Sequence, residues 1–294
     1  MYYTITNGRI MAAFMETGGE ILSIVDFENE NKEYIWVGDK KYWDGHGPNL
    51  FPIVGRVKEG KYVYNGKEYS IKSPHGFVWI SKLNIYSYSD NSITFNLKSN
   101  TETKKSYPFD FDYYVKYTLI DKKVIVSYTV INTSDTEDLI FALGAHPGFN
   151  VPLNKDEKFE DYYLEFGEKC TPDEIICKEA FLTGETRPYE LEDGKILRLR
   201  HNLFDNDAIL LQNHAKKVTI RSDKSERGVS VTFPDFKYLG IWHTNKTDAP
   251  FVCIEPWNGV PSLLEAEENL ETKYDMMKLS PNNKYEASFE IEVF

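Results

Sequence analysis

An all-β fold is what this sequence predicts, and three observations predict it. Apolar and polar residues alternate with a period of two through most of the chain, Asn-Gly pairs punctuate the runs, and helical periodicity is scarce. The chain has 294 residues. It reads as one domain spanning 1–294, because antiparallel β folds exceed roughly 200 residues without dividing. No Pro/Gly/Ser linker, internal repeat or low-complexity tract interrupts it.

Taken in order, the first run, 4–10, turns at Asn7-Gly8. Residues 62–71 form a hairpin with Asn65-Gly66 at its tip, where both turn positions need positive φ. Runs 113–119 and 124–131 flank the turn Asp121-Lys122-Lys123, and the alternation recurs at 208–212, 217–221, 229–233, 239–243, 251–254 and 285–294. Together these make a chain of many short antiparallel strands. Helical spacing shows only at 262–278, where Leu263, Leu264, Leu270, Tyr274 and Met277 share one helical face. The charges of that run and Asn269 fit a long loop with one or two turns equally well. The acidic stretch 156–161 reads as a solvated loop.

Composition excludes several classes of function. With 34 Lys+Arg against 46 Asp+Glu the formal charge is −12, which argues against nucleic acid as a partner because phosphate-backbone binding rests on clustered cations. No apolar run reaches the roughly 18–20 residues of a membrane span, and Met1 to Thr6 lacks a basic segment followed by an apolar one, so no membrane or secretory role is expected. Cys170, Cys177 and Cys253 are odd in number and have no CxxC spacing, the pattern of reduced thiols in a cytoplasmic protein. Aromatics make up 15% of the chain, with 20 Tyr, residues that suit pleated surfaces and also line polar pockets.

Four segments break the strand pattern with Gly, Pro, His and aromatics packed together: 47–56, 73–77, 144–150 and 253–259. Each sets one ionisable residue, Arg56, His75, His146 or Glu255, beside Gly or Pro, which fix the backbone and let a ligand approach closely. His75, His146 and Glu255 are a possible metal set, but they lack HExxH-like spacing. There is no GxSxG elbow and no phosphate-cradling glycine loop. Glu255 and Asp207 as a glycosidase pair would require a separation that sequence does not supply.

The ordered motifs Asn49-Leu50-Phe51-Pro52 with Gly55-Arg56, Pro74-His75-Gly76-Phe77, Tyr107-Pro108-Phe109, Gly144-Ala145-His146-Pro147-Gly148-Phe149-Asn150 and Ile254-Glu255-Pro256-Trp257 resemble the aldose 1-epimerase (galactose mutarotase) family, and within it the LacX-like bacterial branch. The likeness runs from Gly18-Gly19-Glu20-Ile21 to Glu286-Ala287-Ser288. It implies a large antiparallel β-sandwich of the galactose mutarotase-like supersandwich type, with an open, cofactor-free cleft for a small-molecule sugar.

By the same resemblance, His146 matches the general acid that protonates the ring oxygen, and Glu255 the base that takes the anomeric hydroxyl proton. Such a role requires His146 protonated at rest, held so by a nearby carboxylate or polar exposure. Arg56 and His75 match residues that hold sugar hydroxyls. Asp207 is favoured over Asp205 as the sugar-binding acid, and Phe149 and Trp242 are candidates for stacking on the sugar. His243 lies near these motifs without a match of its own. Two alternatives accompany the free-aldose reading. One is a hexose-6-phosphate mutarotase, which needs cations at the cleft rim beyond Arg56; Phe77-Val78-Trp79-Ile80 offers none, Lys82 is the next cation after it, and the acidic net charge points the other way. The other is a non-catalytic carbohydrate-binding or sensing protein.

Overall fold

The structure, a computed structural model, describes the whole chain, residues 1–294. The alternating runs pair as antiparallel strands in two large sheets. One has nine strands, ordered Ile196–Arg198, Tyr162–Phe166, Lys217–Ser222, Val229–Thr232, Lys284–Val293, Lys123–Asn132, Phe111–Ile120, Ser92–Lys98 and Asn84–Ser89. The other has eight. Phe181–Pro188, Asp173–Lys178, Ile209–Gln212, Tyr238–Trp242, Phe251–Asn258, Leu143–Ala145 and Asn49–Leu50 follow one another, and Gly148–Asn150 pairs with Phe251–Asn258 off that path. A four-stranded sheet, Tyr2–Thr6, Ile10–Met15, Ile21–Asp26 and Lys32–Glu33, begins the chain. No helix is long and apolar enough to cross a membrane.

The hairpin at 62–71 forms from Lys61–Tyr64 and Lys67–Ser70, with φ of 48° at Asn65 and 71° at Gly66. At Asn7-Gly8 only Gly8 takes positive φ, because Asn7 Oδ1 closes the turn by accepting the Arg9 and Ile10 amides. Residues 262–276 form a loop rather than a helix, followed by the strand Met277–Leu279. The amides of Leu264 and Leu270 donate to the carbonyls of Leu182 and Val63, and the carbonyls of Ser262 and Glu268 accept the amides of Leu182 and Val63. Leu263 and Leu270 pack into different clusters, so apolar residues at helical spacing serve separate neighbours and no common helical face exists.

Alternation explains where the core sits. Val115, Tyr117, Val126, Tyr128 and Ile291 of the nine-stranded sheet share one 63-residue core with Ile209, Leu211, Leu239, Ile241, Val252 and Ile254 of the eight-stranded sheet. In the eight-stranded sheet the intervening residues are covered too. Leu50, Leu210, Tyr238 and Trp257 form a second, nine-residue cluster on its other face. Every residue of Phe251–Asn258 is buried, so this strand has no solvent face and its polar side chains need a reason to be there.

One buried polar knot ties the four-stranded sheet to the nine-stranded one. Asn49 Nδ2 donates to the carbonyls of Gly18 and Gly19, at 2.9 and 3.2 Å, and to Tyr117 Oη at 2.9 Å; its Oδ1 accepts from Tyr128 Oη at 2.6 Å. Tyr128→Phe leaves that buried oxygen without its donor. Urea denaturation should show a loss of about 1–3 kcal/mol at unchanged m-value. A loss under about 0.5 kcal/mol would mean the knot does not hold the sheets together.

Candidate active site

Strand alternation aims Cys253, Glu255 and Trp257 away from the main core, on the face that carries Trp242 of the neighbouring strand Tyr238–Trp242. Opposite Glu255 stands Gly240, where a Cβ would lie 3.2 Å from that of Glu255. The missing side chain leaves the carboxylate room. His146 follows the short strand Leu143–Ala145, and its amide donates to Pro48 O at 3.0 Å. Pro48 is held in turn through Glu20, a buried carboxylate that accepts the amides of His46 and Gly47 at 2.7 and 3.0 Å.

These elements enclose a cavity of about 250 Å³, whose walls include Arg56, His75, His146, Asp207, Trp242 and Glu255. Six of the seven residues singled out from the sequence therefore converge. Phe149 does not: it is wholly buried in the main core, because Gly148–Asn150 turns it inward opposite Val252. Asp207 lines the wall and Asp205 does not. Four of the chain's five tryptophans, Trp43, Trp79, Trp242 and Trp257, are wall residues. Trp43 and Trp79 carried no strand-pattern signal; their clue is position, each within a few residues of a Gly/Pro/His segment.

The centre is His146 and Glu255. His146 Nε2 stands 3.2 Å from Glu255 Oε2, with 9% and 1% of the two residues exposed. That approach is not aligned as a hydrogen bond: neither oxygen of Glu255, nor Nδ1 of His146, has a hydrogen-bond partner within the protein. Buried polar groups are nearly always partnered, so this trio of atoms in a cavity wall is free to bond a polar molecule that enters it. Burial, with Asp207 nearby, raises the Glu255 carboxyl well above its usual range, and burial with His75 lowers His146 well below its own. Neither support expected for a protonated His146 operates: burial pushes the neighbouring Glu255 carboxyl toward its uncharged form, polar exposure is lacking, and the imidazole's own pKa is lowered. Charge on either group alone is disfavoured, so the pair is best described as holding one proton between its two members.

His75 and Asp207 both sit at left-handed backbone, φ 62° and 84°, a conformation that costs non-glycine residues about 1–3 kcal/mol and gathers at functional sites. At His75 two bonds with Gly55 stabilise it: His75 N–H donates to Gly55 O at 2.7 Å, and Gly55 N–H donates to His75 Nδ1 at 3.2 Å. The second leaves the ring's proton on Nε2. Gly76 next to it, at φ 79°, admits no side chain, since a Cβ would lie 2.3 Å from Phe51 O. Burial and the Arg56 guanidinium push His75 down to about 4. Arg56 itself is exposed at the mouth. His243 lies behind Trp242, wholly buried and 3.1 Å from His201 Nδ1, and takes no part in the wall.

The metal set considered from the sequence does not assemble as such. The donors that lie within 4.8 Å of one another are those of His146, Cys253 and Glu255, without His75. Burial, with Glu255 nearby, raises the Cys253 thiol well above its usual pKa. All three cysteines are free. Proton exchange with a bound polar molecule is the chemistry the His146–Glu255 arrangement suits best.

A family model described as aldose 1-epimerase matches residues 1–276. The plasmid-borne and chromosomal LacX proteins of Lactococcus lactis subsp. lactis are each 34% identical, with 100% of this chain and 99% of theirs aligned. Among solved structures, a galactose mutarotase related enzyme from Lactobacillus acidophilus superposes with a TM-score of 0.95 at 35% identity, covering 100% of this chain and 97% of that one. A galactose mutarotase-like protein from Lactobacillus casei gives 0.93 at 33%, with full coverage of both chains. The large antiparallel β-sandwich expected from the sequence is the fold they share.

The site makes a prediction that needs no substrate. Nitrogen-detected NMR should find the His75 imidazole neutral, with its proton on Nε2, from about pH 8 down to about pH 5. A titration midpoint near the ordinary 6.5 would contradict the environment described here.

Proposed function

This chain belongs to the aldose 1-epimerase family, and from that membership we propose that it is a mutarotase, interconverting the α and β anomers of an aldose by acid–base ring opening. The observation that carries the reading is the buried, unpartnered Glu255 carboxylate 3.2 Å from His146 in an aromatic-walled cavity. In the reactive arrangement Glu255 is ionised and His146 protonated. Glu255 removes the proton from the anomeric hydroxyl, the C1–O1 bond becomes a carbonyl, the C1–ring-oxygen bond breaks, and His146 delivers a proton to the departing ring oxygen. Rotation about C1–C2 presents the other face of the aldehyde, and closure reverses both transfers.

Each cycle moves the pair from imidazolium and carboxylate to imidazole and carboxylic acid and back. Net charge in the buried site never changes, which is the condition that low-dielectric surroundings impose. Arg56, His75 Nε2–H and Asp207 supply donors and an acceptor for ring hydroxyls. Trp242 and the other tryptophans offer flat apolar surface to the sugar's C–H face.

Glu255→Gln and His146→Ala should each lower kcat by about 10²–10⁴-fold in polarimetry of freshly dissolved α-anomer, with thermal unfolding still cooperative. A near-normal rate in either variant would remove that residue from the mechanism.

The pH dependence follows from the shared proton. A pair with two protons has no base, and a pair with none has no acid, so kcat/KM should be bell-shaped. Burial sets the sign of each limb: the acid limb falls below 6.5, the usual histidine value, and the alkaline limb above 4.5, the usual glutamate value. Measured against the uncatalysed background, an acid limb above pH 6.5 would contradict the shared-proton pair.

A further inference from the structure

Next to the acid–base cavity lies a second one, of about 380 Å³, and the two share Arg56 and Pro74 as a common wall. The tip of the hairpin Asp173–Lys178/Phe181–Pro188 separates them, with Ala180 on one side and Phe181 on the other. Charge is distributed unevenly along this double cleft. The carboxylates Glu255 and Asp207 belong to the first cavity; the second is bounded by Arg56, Lys72, Ser73 and Glu59, two cations to one acid. In a chain of net charge −12 that local balance is reversed.

The cations are also uncommitted. Five of the seven arginines, Arg9, Arg187, Arg198, Arg221 and Arg227, are ion-paired, whereas Arg56 is not, and Lys72 makes no ion pair either. The Arg56 segment is nonetheless held firmly. Its carbonyl accepts the Ser262 amide at 3.2 Å, and Glu268 takes the Lys58 amide and the Ser262 hydroxyl, both at 2.8 Å. Free cations beside the acid–base cavity, one of them on a well-held segment, are what an anionic group on the substrate requires.

We propose that the second cavity seats a phosphate ester carried by the sugar, gripped by Arg56 and Lys72 while C1 stands at His146 and Glu255. The assignment rests on the mutarotase reading above and narrows it to aldose phosphates. It also orients the substrate, since an anion placed at the other end would lie beside Asp207 and lose Lys72.

Polarimetry or exchange NMR on glucose, glucose 6-phosphate, galactose 6-phosphate and maltose tests the idea. The phosphate esters should have the highest kcat/KM. Lys72→Ala should lower the ratio of kcat/KM for ester over free sugar about tenfold or more, through KM, and Lys72→Arg should restore most of it. Equal turnover of ester and free sugar, or a Lys72→Ala effect common to both, would overturn the proposal. A preference for maltose that ignores Lys72 would overturn it as well, and would assign the cavity to a second sugar ring. If no sugar is turned over, the mutarotase reading fails by itself. Calorimetry then decides the phosphate seat: glucose 6-phosphate binding weakened about tenfold by Lys72→Ala sustains it, and absence of binding overturns it.

Discussion

A carboxylic acid enclosed by protein, with no donor to satisfy it, is the constraint around which the rest of this molecule is arranged. Burial raises the Glu255 carboxyl well above its usual pKa, so holding it there carries a cost that the packing around it offsets. The surrounding structure meets that cost with a sheet covered on both faces. Val252 and Ile254 anchor the strand to the main core while Glu255 is displayed on the opposite side. His146 reaches the same point from another strand, through Pro48 and Glu20. Each residue stands on main chain held by long-range bonds.

Most of the strands were legible in the sequence because they obey one physical rule, a core on one side and water on the other. The runs 113–119 and 124–131 lie inside Phe111–Ile120 and Lys123–Asn132, where burial alternates residue by residue. The rule loses its grip where both faces are covered. The run at 251–254 stops short of the strand's end at Asn258, since Glu255 to Asn258 are buried without alternating in polarity. The loop at 262–276 was ambiguous for the opposite reason. Its leucines are spaced like a helix but are claimed singly by Leu182, Val63 and the core, and tertiary bonds of this kind leave no local trace.

Legibility of the site followed chemistry more than geometry. Arg56, His75, His146 and Glu255 stood out because ionisable residues beside Gly and Pro are unusual in strand-rich sequence, and family resemblance supplied their roles. Phe149 departs from the expectation because an aromatic beside a motif looks the same in sequence whether it turns in or out, and the register opposite Val252 turns it in. Trp43 and Trp79 escaped notice for a related reason: nothing in a single sequence says which aromatics share a wall. The lowered basicity of His146 was likewise invisible, being a property of enclosure rather than of neighbours in the chain.

The stitched loop at 262–276 gives the molecule a division of labour. It fastens the Arg56 segment to the strand Phe181–Pro188 largely through main-chain groups, with the side chains of Glu268, Ser262 and Lys58 adding to them. Main-chain bonds survive changes of side chain, so the rim of the cleft can drift in sequence while its course is preserved. The floor, where Glu255 and His146 meet, has no such freedom. Along the border of the cleft, course and side-chain identity are thus separate properties of the chain, whereas at the floor they are one.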